Sequence, residues 1–212
     1  HILRSVTNVL ERMDRPAEFL RRTRPGQLIR TFADFRHRYA GGDEMAGLLI
    51  GTRAAIRRHG SLQKCFEAGL CEDEETVLPA LGRFVGELSA GCDGKKNYLL
   101  PSPERGSACK RWNMLLRWMV RRDAIDPGGW DRIPASKLVV TLDTHMHRIG
   151  RALKLTRRKA ADLRTAMEVT KAFRRVSPDD PVKYDFALSR LGIRRDADME
   201  RFLRDYAAQC AA

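Results

Sequence analysis

The sequence predicts an all-α protein of about ten helices, and three observations carry that expectation. Apolar residues recur at helical spacing through almost the whole chain, and Gly, Pro and Ser separate the runs. The one candidate strand, "KLVVTL", has no second strand to pair with, and a lone strand cannot make a sheet. From the N-terminus, "ILRSVTNVLERM" repeats apolar residues at helical spacing, and "RPAEFLRR" follows with its Pro at a first-turn position. "TRPGQ" is a break. "LIRTFADFRHRYA" is expected to form a helix that stops at Gly41 and Gly42, after which Asp43 would cap "EMAGLLIGTRAAIRRHG". Ser61 is placed to cap "LQKCFEAGL". The acidic "CEDEE" suits the positive end of the next helix, "TVLPALGRFVGELSA".

"GCDGKKNYLLPSPERG" and "DAIDPGGWDRIPASK" read as loops on either side of a long helix that starts near Ser107, "SACKRWNMLLRWMVRR". Four further helical runs complete the chain: "THMHRIGRALKL", "RKAADLRTAMEVTKAFRRV", "DPVKYDFALSRLGI" and "DADMERFLRDYAAQ". No internal repeat or low-complexity tract is visible.

Length allows one substantial core or two small lobes sharing a cleft. The chain begins at His1, so some native N-terminal sequence is expected to be missing. No apolar run approaches the length of a membrane span and no signal peptide is visible, which predicts a soluble, cytoplasmic protein with no membrane partner. The five cysteines, Cys65, Cys71, Cys92, Cys109 and Cys210, contain no C-x-x-C pair. Reduced, partly buried thiols are therefore expected, rather than a zinc or iron–sulfur site built from cysteines alone. Forty Lys plus Arg against 27 Asp plus Glu give a net charge of +13. An excess of that size in a compact domain points to a polyanion, nucleic acid first.

Two segments could carry chemistry. On a wheel of about 100° per residue, Ala108, Trp112, Leu115, Leu116 and Met119 form the expected core stripe of the Ser107 helix. Lys110, Asn113, Arg117 and Arg121 fall on the opposite side, which for a basic helix can be simple solvation. Lys110 lies in the first turn, where the positive end of the helix dipole and the neighbouring Arg111 make a free amine easiest to obtain. A free amine is what nucleophilic or Schiff-base chemistry requires. Asp143 ends the apolar "LVVTL" and is placed to cap the helix that follows. A carboxylate fixed at a helix start, partly desolvated, also suits a general base or the stabilisation of a developing cation. On a strand, Asp143, His145 and His147 would share a face and could hold a metal; on a helix, residues two apart diverge by about 200°. The downstream "RIGRALKL" is helical, so no metal is assigned there.

With Lys110 and Asp143 at two helix starts, "LDTHMHRIGRAL" resembles the V-D-T-H-x-x-R signature of the helix-hairpin-helix DNA glycosylase superfamily. "GSACKRWNMLLRWMVRRD", "SPDDPVKYDFALSRLGI", "FRHRYAGGDEMAGLLIGT" and "RRHGSLQKCF" resemble, more closely, an uncharacterised bacterial family with the same glycosylase-like core. The resemblance runs from about Phe32 to Ile193. It implies a single glycosylase-like domain over residues 1–212, with lobes of approximately 1–100 and 101–212 around a cleft. Asp143 takes the place of the superfamily's catalytic Asp, and Lys110 is the candidate Schiff-base lysine of the bifunctional members. The superfamily's L-P-G-x-G hairpin is absent, and "SPERGSACKR" stands where it is expected. The separation from Lys110 to Asp143, 143 − 110 = 33 residues, is longer than in endonuclease III and closer to the archaeal 8-oxoguanine glycosylases. The four-cysteine iron–sulfur loop of endonuclease III is missing, in line with no cofactor.

The function so implied is DNA repair by a glycosylase with lyase activity, for an oxidised purine such as 8-oxoguanine, acting as a monomer associated with the bacterial nucleoid. The damaged base of double-stranded DNA would be flipped out of the helix. Lys110 would attack the sugar, and Asp143 would activate it and stabilise growing positive charge. Arg111, Arg117, Arg121, His145 and Arg148 are the candidate DNA contacts, positioning the enzyme through phosphates. Two other readings compete: a non-catalytic nucleic-acid-binding module, and a metal hydrolase built on Asp143, His145 and His147.

Overall fold

A computed structural model describes the backbone of residues 2–193 and 199–211. The start of the last predicted helix, Asp196 to Asp198, and the thiol of Cys210 lie outside the described residues. The described chain is predominantly helical. Its helices are α1 (Ile2–Met13), α2 (Pro16–Arg22), α3 (Pro25–Phe32), α4 (Gly42–His59), α5 (Leu62–Glu67), α6 (Leu78–Ser89), α7 (Lys110–Val120), α8 (Thr144–Ala152), α9 (Leu163–Val176), α10 (Asp185–Ile193) and α11 (Met199–Ala211). No helix among the described residues is long and apolar enough to cross a membrane.

The chain divides into two compact units, residues 1–70 with 80–101, and residues 71–79 with 102–212. In the first, α4 runs through a core of Met13, Leu20, Leu28, Phe32, Phe35, Ala40, Met45 and Leu49. Pro16 and Pro25 open α2 and α3 at positions where the missing N–H costs nothing. The helix expected over "LIRTFADFRHRYA" ends early, at Phe32. A two-stranded antiparallel hairpin follows, Arg36–His37 paired with Ala40–Gly41, and its turn holds Arg38 in the left-handed region at φ 54°. Asp43 is not the cap of α4. Gly41 precedes the first turn instead, and its N–H donates to Glu44 Oε2 at 2.8 Å. Ser61 caps α5 as its sequence implies, accepting from the Lys64 N–H at 3.1 Å.

The acidic stretch before α6 serves a different end from the one its sequence suggests. α6 starts only at Leu78, with Pro79 in its first turn. Residues 71–79 are tied into the second unit: Val77 N–H donates to Lys137 O at 2.9 Å, and Lys137 Nζ to the carbonyls of Cys71 and Glu72. Glu75 pairs with Arg174 of α9 at 2.6 Å. The Glu75 carboxylate and the Cys71 and Glu72 carbonyls are thus held by cations of the second unit.

In the first unit α4 and the Leu88–Cys92 stretch meet backbone to backbone. A Cβ at Gly51 would overlap the Leu88 carbonyl, and one at Gly91 would overlap Gly47 and Gly51. Gly86 of α6 has nothing within 4 Å of the same position. Alanine at an accommodating helix site gains about 0.5–1 kcal/mol over glycine, whereas forced overpacking costs about 1–3 kcal/mol. Gly86→Ala is therefore expected to raise the urea midpoint of unfolding and Gly51→Ala to lower it. Equal midpoints would show that α4 can shift without loss.

Candidate active site

The start of α7 is set by two residues in left-handed geometry. Gly106 has φ 73°, and Cys109 has φ 49°, so the helix begins at Lys110, three residues later than its sequence suggests. Side chains brace the turn. Ser107 Oγ accepts from the Cys109 N–H at 3.2 Å, and Asn113 Nδ2 donates to Ala108 O at 3.0 Å. Gly106 O accepts from the Leu163 N–H at 3.1 Å, anchoring the turn to the start of α9. Cys109 is buried, and burial pushes its thiol up.

Asp143 is fixed from both sides. It caps α8, its Oδ1 accepting from the Met146 N–H at 2.7 Å. Behind it the segment Leu138–Leu142 is extended and buried, yet it belongs to no sheet. Its amides are bonded by side chains: Val140 N–H donates to Thr170 Oγ1 at 3.0 Å, and Thr141 N–H to Asp185 Oδ2 at 2.9 Å. A buried N–H left unpaired would cost about 1–3 kcal/mol, so these bonds hold in place a segment that the sequence offers as a strand and that pairs with no other. The second carboxylate oxygen of Asp143 faces Lys110: Nζ lies 3.8 Å from Oδ2, with the lysine side chain 51% exposed and the aspartate 12%.

Arg117 and Arg121 do not face solvent. Leu116 of the expected core stripe is buried, but so are Asn113 and Arg117 from the side expected to face water, and Arg121 is half-buried. Trp118 is the more exposed residue, at 39%. The loop after α7 folds back onto its C-terminal end, where Gly128 N–H donates to Trp118 O at 2.9 Å and Trp130 N–H to Met119 O at 2.7 Å. That fold delivers Asp126, fully buried, to Arg117 Nε at 3.2 Å and also to Arg121. Arg121 further pairs with Asp123 and Asp180, each at 2.8 Å. Arg117 lies 3.9 Å from Asp185 Oδ2, the same oxygen that accepts from Thr141. Two guanidiniums out of water need anions, and the loop and α10 supply them.

The structure thus brings Lys110 and Asp143 together and places three of the candidate DNA contacts within the fold or half within it. Arg117 and Arg121 are internal counter-ions. His145 is half-buried against α10, so close that a Cβ at Gly192 would lie 2.8 Å from its Cγ. Arg111 and Arg148 are exposed. His147 is also taken, its Nε2 donating to Arg158 O at 3.0 Å. Among the described residues, Asp143, His145 and His147 do not form a group able to share one ion. The helix sends the two histidines to different neighbours, as its periodicity requires.

Asp185 is a residue the sequence reading did not single out. It follows an aromatic in "KYDFAL" and gives no local sign of its role, because its partners lie on α7 and on the extended segment. Burial pushes its carboxyl above the ordinary range, opposed by the Thr141 amide and Arg117, while Asp143 adds to the rise. A carboxyl held higher in the folded state binds its proton more tightly there than in the unfolded chain. Its contribution to stability is full below the ordinary carboxylate value, near pH 4, and is lost as pH rises through the folded value. Asp185→Asn keeps an acceptor for Thr141 and does not titrate. The stability advantage of the wild type over this variant, from urea unfolding at a series of pH values, is expected to shrink from about pH 4 upward. An advantage that grows with pH would mean that Arg117 outweighs burial.

No curated protein and no solved structure matches the chain. One family model matches residues 1–194, nearly its whole length, and is described as a protein of unknown function, DUF2400. The chain belongs to that DUF2400 family.

Proposed function

We propose that the protein is a DNA glycosylase with associated lyase activity, built on a helix-hairpin-helix-like core. One observation carries the reading: an exposed lysine amine at the first residue of α7 sits 3.8 Å from the free oxygen of a helix-capping aspartate. The resemblance of "LDTHMHRIGRAL" to the superfamily signature supports Asp143 in the role of that superfamily's catalytic aspartate. The turn through Gly106 and Cys109 supports Lys110 where the superfamily has its hairpin.

The chemistry follows from the pair. Asp143 Oδ2 takes a proton from Lys110, and the freed amine attacks the anomeric carbon of a flipped nucleotide. The base leaves with the bonding electrons and receives, through water, the proton that Asp143 had taken, which restores the carboxylate. The sugar ring then opens as the nitrogen–carbon bond becomes an imine. Loss of a proton from the neighbouring carbon expels the 3′ phosphate and cuts the strand. Asp143, held by the Met146 amide, stabilises positive charge on the sugar without having to reorganise. Exposed Arg111 and Arg148 flank the two helix starts and suit phosphates on either side. An oxidised purine such as 8-oxoguanine is the proposed lesion, on the lysine–aspartate spacing alone.

A binding module in which Lys110 and Asp143 form only a surface ion pair, worth about 0–1 kcal/mol, is the competing account. Borohydride trapping on duplexes carrying 8-oxoguanine, uracil or an abasic site separates the two. The wild type is expected to form a covalent adduct that Lys110→Gln abolishes, and Asp143→Asn to slow its formation by about 10²-fold or more. No adduct and no base release, with salt-sensitive binding intact in all three proteins, would leave the binding module. Arg148→Ala is expected to flatten the dependence of log affinity on log salt by about 0.9, one phosphate contact's worth, and Arg117→Lys to leave it unchanged. A loss of slope in Arg117→Lys would return that residue to the DNA surface.

A further inference from the structure

The first unit holds a second cluster of reactive side chains, unrelated to Lys110 and Asp143. His59 is the last residue of α4, Cys65 lies in α5, and Glu87 lies in the last turn of α6. One ligand atom from each falls within 4.8 Å of the others. The turn between α4 and α5 makes the first two neighbours: Gly60, at φ 86°, ends α4, and Ser61 caps α5. His59 Nε2 is buried with no hydrogen-bond partner, 3.6 Å from Glu87 Oε2. That distance is too long for a hydrogen bond and close to the ~3.3 Å that separates two ligands around one tetrahedral zinc ion. Cys65 is 4% exposed. Arg58 holds both oxygens of Glu87, at 3.0 and 2.8 Å, and so fixes the carboxylate's orientation.

We propose that His59, Cys65 and Glu87 form a zinc site, with water as the fourth ligand. The donor set selects the ion: one sulfur, one imidazole nitrogen and one carboxylate oxygen suit zinc or cobalt and disfavour magnesium and calcium. The buried, unpartnered imidazole nitrogen gains a bond that the protein alone does not give it. On binding, the Cys65 S–H bond breaks and a sulfur–zinc bond forms, releasing the proton to solvent. The thiolate, not the thiol, binds metal, so the ion competes with the proton and affinity rises with pH. The ion would clamp the α4–α5 turn to the end of α6.

The test is titration of the full-length chain with Co²⁺. The wild type is expected to give a saturable thiolate-to-cobalt charge-transfer band at one equivalent, displaced by Zn²⁺, and a Zn²⁺-dependent rise in thermal midpoint. Cys71→Ser, at an exposed cysteine, should keep the band, and Cys65→Ser should lose it. His59→Gln should weaken Co²⁺ binding by at least about tenfold, and it carries the test if Cys65→Ser does not fold. No band in the wild type overturns the proposal. So does a band with unchanged affinity in His59→Gln.

Discussion

Arg117 is a charge almost out of reach of water, and much of the second unit is arranged to answer it. Asp126 reaches it only because the Asp123–Trp130 loop doubles back over the end of α7 and spends its amides on the Trp118 and Met119 carbonyls. Asp185 reaches it from α10, and the same carboxylate oxygen then holds the Thr141 amide of the extended segment. That segment delivers Asp143 to the start of α8. A single guanidinium thus links the loop, α10 and the buried segment that leads to the candidate catalytic carboxylate. Such an arrangement is costly to break on one side, because the orphaned charge stays buried.

The candidate site uses two helix starts in different ways. At α8 the capping requirement fixes Asp143 and leaves one oxygen to spare. At α7 the usual capping residue is replaced by a left-handed cysteine, so that the first helical side chain, Lys110, emerges unencumbered. Helix ends are where backbone groups lack partners, and chemistry is built there because polar side chains are needed in any case.

What could be read from the sequence was what is local. The Ser61 and Asp143 caps depend on a few adjacent residues, and both are found where the pattern puts them. The hairpin at Arg36–Gly41 was read as helix because its apolar spacing suits either, and only the left-handed Arg38 decides. On α7 a helical wheel sets Leu116 inside and Lys110 outside, as found, but it also sends Arg117 to water with the other charges. It cannot see that Asp126 and Asp185 arrive from elsewhere. Helical period separates His145 from Asp143, but it does not foretell the close approach of Gly192 in α10, which half-buries the ring. Counting cysteines alone hid the His59–Cys65–Glu87 group, since its three donors come from three helices and only one is a thiol.

The residues assigned to each unit alternate along the chain, with changes after 70, 79 and 101. The short acidic run that pairs with Lys137 and Arg174 thus belongs to the second unit, although in sequence it lies between two stretches of the first. A cut after 70 keeps the second unit whole but parts residues 1–70 from 80–101, and a cut after 101 keeps the first whole but parts 71–79 from 102–212. Every one of the three junctions therefore divides at least one unit, so none marks a place to shorten the chain without loss.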